Sequence, residues 1–144
     1  MKPYNKILYN LILSILVTGQ LLIIYVVFMI LYPFEVVKLN EFKVTTPVVK
    51  KGDFVCYNLN FTKKMSLKSE GIDWYIVNGT RHNLNTGGAY RPVGVTDSQN
   101  CKYIPDTPDI IPGIYNIQVD LAYKVFELRP AIIYSWTSNK FKVE

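Results

Sequence analysis

From Ile7 to Phe34 the chain (ILYNLILSILVTGQLLIIYVVFMILYPF) carries no charged side chain, and almost every position is apolar. At about 1.5 Å per residue this run exceeds the roughly 20 residues that span a hydrocarbon core of about 30 Å, so it predicts a transmembrane helix over 7–34. Pro33 lacks a backbone donor and predicts the helix end. A cleaved signal peptide is the rival reading, with Val17-Thr18-Gly19 as a small-residue cleavage site. The apolar residues after Gln20 (LLIIYVVFMILY) argue for a retained anchor instead.

Beyond the helix the apolar period changes from continuous to two. Glu35 to Asn40 reads as a short juxtamembrane connector, and the domain boundaries follow as 1–6 cytoplasmic, 7–34 span, 35–41 connector and 42–144 exterior domain. Phe42, Val44 and Val48-Val49 around Pro47 predict an edge-like first strand. Val55, Tyr57, Leu59 and Phe61 alternate with polar neighbours, which predicts a strand with its odd-numbered face buried and Cys56 pointing away. Ile72, Trp74 and Ile76 give a third strand with the indole inward, and Asn78-Gly79 is a hairpin signal before a return strand at Arg81 to Leu84. Asn85 to Asn100 (NTGGAYRPVGVTDSQN) shows no period and is expected to be a long loop. Cys101 to Ile104 resumes as a short strand. Tyr115, Ile117, Val119, Leu121 and Tyr123 form the clearest alternation, and Ile132 to Val143 closes the chain as a bent last strand. About seven strands without an amphipathic helix predict an all-β exterior domain of β-sandwich type.

Charge orients the anchor. Lys2 and Lys6 precede it without an acid, whereas Glu35, Lys38, Glu41 and Lys43 after it cancel, so the N-terminus is expected inside and the C-terminal domain outside a cytoplasmic membrane. The net charge of +5 includes those two lysines, and the remaining bases are scattered, which gives nucleic acid no electrostatic footprint. The two cysteines, Cys56 and Cys101, lie on the oxidising side and are expected to pair.

Candidate chemistry is sparse. The single histidine, His82, has no paired acid or nucleophile elbow near it in sequence, and no phosphate loop, calcium loop or zinc spacing occurs. These observations predict a non-enzyme without cofactor or metal. Recognition is expected from the long loop, through Tyr90 and Arg91 with His82 nearby, and from the outward Tyr75, because Tyr and Arg are enriched in binding patches. The final strand is a second candidate, by edge addition of an extended partner. Within the span, Ser14 and Thr18 share a helix face and Gln20 can donate between helices, a candidate helix–helix seam; the competing reading is that the hydroxyls bond back to their own helix. Asn60 and Asn78 head Asn-x-Thr sequons, which are glycan sites only in a eukaryotic secretory pathway.

Pro112-Gly113-Ile114-Tyr115 opening the long alternating strand resembles the tyrosine-corner entry of immunoglobulin-like and fibronectin-like sandwiches, and Trp74 resembles their core tryptophan. The resemblance covers roughly Phe42 to Val143. Cys101 departs from it by lying ahead of Tyr115 rather than just after it, which implies that a bridge to Cys56 is no inter-sheet core disulfide and instead pins the long loop to an outer face. The layout as a whole is similar to small single-pass membrane proteins of bacteriophages and bacteria. Together these readings imply a membrane-anchored interaction module with membrane or periplasmic protein partners, including copies of itself, or a structural subunit of a membrane or virion complex recruited through its helix.

Overall fold

The computed structural model describes residues 3–87 and 93–144. The chain forms two units: Met1–Phe34 with Phe126–Arg129, and Glu35–Val125 with Pro130–Glu144.

The first unit is built on one helix, α1 (Pro3–Leu31), which begins and ends slightly before the expected 7–34. The Tyr32 N–H still reaches the Phe28 carbonyl at 2.8 Å, and Phe34 then turns back to the Tyr32 carbonyl at 2.9 Å across Pro33. An 18-residue window within Lys6–Leu31 has a mean hydropathy of 2.5, and none of that window is buried. A helix that is apolar all round and covered by no protein core suits a membrane anchor or a signal sequence. Its last turn holds no basic residue. The turn at 126–129 supplies one: Arg129 donates to the Tyr32 carbonyl, and its guanidinium lies 5.4 Å from the centre of the Phe34 ring. A cation there gives the Tyr32 carbonyl a second donor beside the Phe34 N–H and opposes the negative end of the helix dipole.

The second unit holds eight strands: β1 (Val37–Val44), β2 (Val48–Val49), β3 (Phe54–Lys63), β4 (Ser69–Asn78), β5 (Thr80–Gly87), β6 (Gly94–Tyr103), β7 (Gly113–Tyr123) and β8 (Ile132–Val143). They form a three-stranded sheet, β1-β3-β6, and a five-stranded sheet, β2-β8-β7-β4-β5. Every pairing is antiparallel except β2 with β8. The two sheets share one hydrophobic core, in which Tyr57 and Phe61 of one meet Trp74 and Trp136 of the other at centroid distances of 5.0 and 5.8 Å. The alternation in β3 and β7 is as the sequence predicts, with the odd-numbered residues of β3 buried from Val55 onward.

Four expectations need correction. β1 begins at Val37, inside the segment expected as connector, because a bulge between Leu39 and Glu41 breaks the period and lets Val37, Leu39, Phe42 and Val44 all face inward. Most of Asn85 to Asn100 is strand: β5 runs to Gly87 and β6 starts at Gly94. Cys56 and Cys101 are directly opposite residues of β3 and β6, so their disulfide crosslinks two neighbouring strands rather than fastening a loop. Trp74 is half-buried at the edge of the core, with the Lys102 ammonium 4.8 Å from its ring, rather than at the centre. At the predicted hairpin, Gly79 alone separates β4 from β5, at a φ of 72° that suits glycine.

One side of the domain is closed by side chains. After Val44 the chain leaves the three-stranded sheet and, past Pro47, pairs with the end of β8. The Asn139 amide accepts the Val44 N–H at 2.6 Å and donates to the Val44 carbonyl at 3.3 Å, copying a ladder between sheets. Further along, the Tyr134 hydroxyl accepts the Val36 N–H at 2.8 Å. Tyr115 is 1% exposed and donates its hydroxyl to the Ile111 carbonyl four residues upstream at 2.7 Å, which fixes the entry to β7.

Candidate functional site

The helix is the first candidate. Ser14 and Thr18 do share a face, with Asn10, Leu13 and Val17 beside them. The Thr18 hydroxyl, however, donates to the Ser14 carbonyl at 2.8 Å, so its one proton is used inside its own helix and only its acceptor capacity faces outward. Gln20 is exposed in mid-helix.

Of the recognition cluster expected around the long loop, His82 is placed, while Tyr90 and Arg91 lie outside the described residues. His82 sits opposite Ile76 on the inward side of β5, and it lines a surface recess of about 470 Å³ with Asn78, Thr80, Asp109, Ile111 and Tyr115. The β4–β5 turn and the segment before β7 form its walls. Amide, hydroxyl and carboxylate groups mix there with the exposed Ile111, a lining able to hold a polar side chain or a turn of a partner. Among the described residues no three acids, histidines or cysteines gather where they could hold a metal ion.

The outer face of the five-stranded sheet carries the expected outward Tyr75. Arg81 lies over its ring at 5.3 Å and also donates to Asp120 at 3.2 Å. Asp120 further accepts from Gln118 at 2.8 Å and Ser135 at 2.6 Å, and Gln118 reaches Ser135 at 2.7 Å. These four side chains satisfy one another, which makes a rigid polar platform with one aromatic face. Register explains the grouping, since Asp73, Asp120 and Ser135 lie in one row across β4, β7 and β8.

The outer face of the three-stranded sheet holds a patch that sequence reasoning missed. Phe54 (60% exposed) and Tyr103 (48% exposed) are cross-strand partners meeting edge to face at 5.5 Å, one position along β3 and β6 from a pair that flanks the disulfide. Phe54 continues into a groove of about 510 Å³ with Thr46, Val48, Lys50, Asp53 and Glu144 among its walls. The only signal was aromatic residues at both ends of a disulfide-bracketed stretch, and it needs the register to become a site. Asn60, eligible on paper for a glycan, is half-buried and accepts from the Asn40 amide at 2.7 Å; Asn78 is exposed. The last strand, expected to add a partner by its edge, lies between β7 and β2, so its edge is engaged over its final residues.

Three charged groups have displaced protonation equilibria. The hydrogen bond from Lys64 holds the Glu35 carboxyl below its usual range, that from Lys142 does the same for Glu144, and burial lowers the Lys102 ammonium. The first two are exposed ion pairs and the third packs on an indole. None has the environment of an acid–base catalyst.

No known family model matches the chain, and no curated protein matches it. Among solved structures, the alkylpurine DNA glycosylase AlkC of Pseudomonas fluorescens, bound to DNA containing an abasic site analogue, is similar over 75% of this chain and 30% of its own, at 13% identity and a TM-score of 0.46. The sporulation control protein Spo0M of Bacillus subtilis matches over 77% of this chain and 50% of its own, at 14% identity and a TM-score of 0.44. A CARDB domain from Pyrococcus furiosus, in complex with di-metal ions, matches over 73% of this chain and 96% of its own, at 19% identity and a TM-score of 0.36. The chain thus spans half or less of the first two proteins it resembles.

Proposed function

We propose that the protein is a non-enzymatic, membrane-anchored interaction module: α1 crosses a cytoplasmic membrane with its N-terminus inside, and the β domain is displayed on the outer side as an immunoglobulin-like sandwich. The observation that carries this reading is the helix Lys6–Leu31, apolar on every face and buried nowhere. A soluble protein does not leave that much apolar surface to water. The immunoglobulin-like assignment is supported by the sheet order, by the first-sheet chain that crosses at Pro47 to pair in parallel with the last strand, and by the Tyr115 hydroxyl bond to Ile111. The disulfide fits an oxidising exterior.

Partners of this module are membrane or periplasmic proteins, met through the Phe54–Tyr103 patch, the His82 recess or the Tyr75–Arg81 platform. A phage or bacterial source accords with the sequence layout. The test is alkaline extraction of membranes followed by protease treatment from the outer side. Retention in the pellet with loss of the β domain to protease supports the reading; release into the supernatant, or full protection of the domain, refutes it.

A second reading has a specific observation behind it: the exposed amide of Gln20 in mid-helix, which in hydrocarbon gains by finding a partner helix. The chain would then be a subunit of a larger membrane or virion complex. Crosslinking in native membranes separates the two, using Ser14→Leu, Thr18→Leu and Gln20→Leu together. Partners lost from that variant favour the subunit; partners retained favour the displayed module.

A further inference from the structure

A turn far along the chain from α1 belongs to the same compact unit as the helix. The turn Phe126–Arg129 closes on a hydrogen bond from the Arg129 N–H to the Phe126 carbonyl at 3.0 Å, which puts Glu127 and Leu128 at its tip. Leu128 is 67% exposed, an aliphatic side chain at the apex of a tight turn. The same turn is fastened to the end of α1 by the Arg129 side chain, through the Tyr32 carbonyl and the face of Phe34. Phe28, Tyr32 and Phe34 form a run of rings 4.8 Å apart that ends under that guanidinium.

Where a span emerges, aromatic rings and arginine gather at the level of the headgroups, with the apolar body turned to the acyl chains and the polar tip to water. Leu128 is therefore held within one arginine side chain of that level. We infer that the Phe126–Arg129 turn is an interfacial membrane-docking element: Leu128 inserts among the upper acyl chains of a phospholipid bilayer, and Arg129 bridges the helix-end carbonyl to a lipid phosphate with the donors that Tyr32 does not use. A guanidinium is suited to that double role because its five N–H groups point in fixed, different directions. This inference rests on α1 being a retained membrane anchor.

The full chain, reconstituted in vesicles of phosphatidylcholine and phosphatidylglycerol, provides the test. With Cys56 and Cys101 bonded to each other, Leu128→Cys introduces a single reactive thiol for an environment-sensitive fluorophore. Lipids carry a nitroxide either near the headgroup or at mid-chain, and Ile23→Cys, labelled in the same way, reports on α1. The expected result is quenching of the label at position 128 severalfold stronger from the shallow nitroxide than from the deep one, with protection from aqueous iodide, while position 23 is quenched from mid-chain. A label at 128 open to iodide and untouched by either nitroxide, with position 23 still quenched, overturns the docking element and leaves the anchor standing. Position 23 unquenched refutes the anchor, and this inference with it.

Discussion

The side of the domain where β1 and β8 approach each other has no continuous backbone ladder, and Asn139 stands in for one. Replacing it by alanine removes both hydrogen bonds to Val44, a residue 4% exposed. A buried backbone group left without a partner costs about 1–3 kcal/mol, and here the N–H loses its partner at 2.6 Å while the carbonyl loses a weaker one at 3.3 Å. The expected destabilisation for Asn139→Ala is therefore about 2 kcal/mol. Urea unfolding of the full chain in mild detergent, followed through Trp74 and Trp136, reads it directly. With a urea m-value of about 1–3 kcal/mol/M for a domain of this size, the midpoint falls by about 1 M. Tyr134→Phe removes the bond to the Val36 N–H, eight residues along β1 and thus about 25 Å away, so the two losses should add in the double variant. An unchanged midpoint in Asn139→Ala, at an unchanged m-value, refutes the idea that this seam holds the sheets together.

Opening the Cys56–Cys101 bond frees a loop with a sequence separation of 45, worth about 4 kcal/mol in the chain-entropy model; urea midpoints with and without reductant should differ accordingly. Tyr115→Phe keeps the packing and loses the bond to Ile111, an expected loss of about 1 kcal/mol in the same assay. Burial first, and the neighbouring Tyr134 second, raise the Tyr123 hydroxyl above its ordinary value of 10.0. The folded state then holds that proton more tightly than the unfolded chain, so stability is intact below about pH 10 and falls as pH rises beyond it. Thermal melts across that range should show the fall, and Tyr123→Phe should flatten it.

The strands buried against the middle of the core were legible. β3 and β7 alternate because each has neighbours on both sides and the opposite sheet below, so inward positions are apolar except at Lys63, where β3 ends. β6 was illegible for the converse reason. It is an outer strand, and the positions paired with Tyr57, Leu59 and Phe61 are Asn100, Ser98 and Thr96, while its valine Val95 faces out. A strand at the open margin of a core has no need of apolar inward residues, and its sequence then looks like a loop. The start of β1 was hidden by its bulge, which puts Leu39 and Phe42 on one face at a spacing no period-two reading accepts. The Phe54–Tyr103 pair and the Arg81–Asp120 link are products of register between strands 49 and 39 residues apart, and no local pattern encodes them. The long apolar helix and the cysteine pairing, by contrast, follow from length and count alone.

The parallel pairing of β2 with β8 has a mechanical consequence. The chain enters the domain at β1, crosses at Pro47 into β2 and closes the domain with β8, and the bonds between β2 and β8 run from Lys142 to Pro47, Glu144 to Val49 and Lys51 to Glu144 at 2.9–3.1 Å. When a tether at the N-terminal end is pulled against a load on the C-terminal end, the tension reaches β1 and its partner β3 first; past the Pro47 crossover, β2 and β8 then slide past each other as parallel strands and these bonds bear the load together, instead of opening in turn like a zipper. The disulfide adds a second stop. The loop it closes is withheld from extension, so about 150 Å of contour stays coiled even after the shear bonds give way.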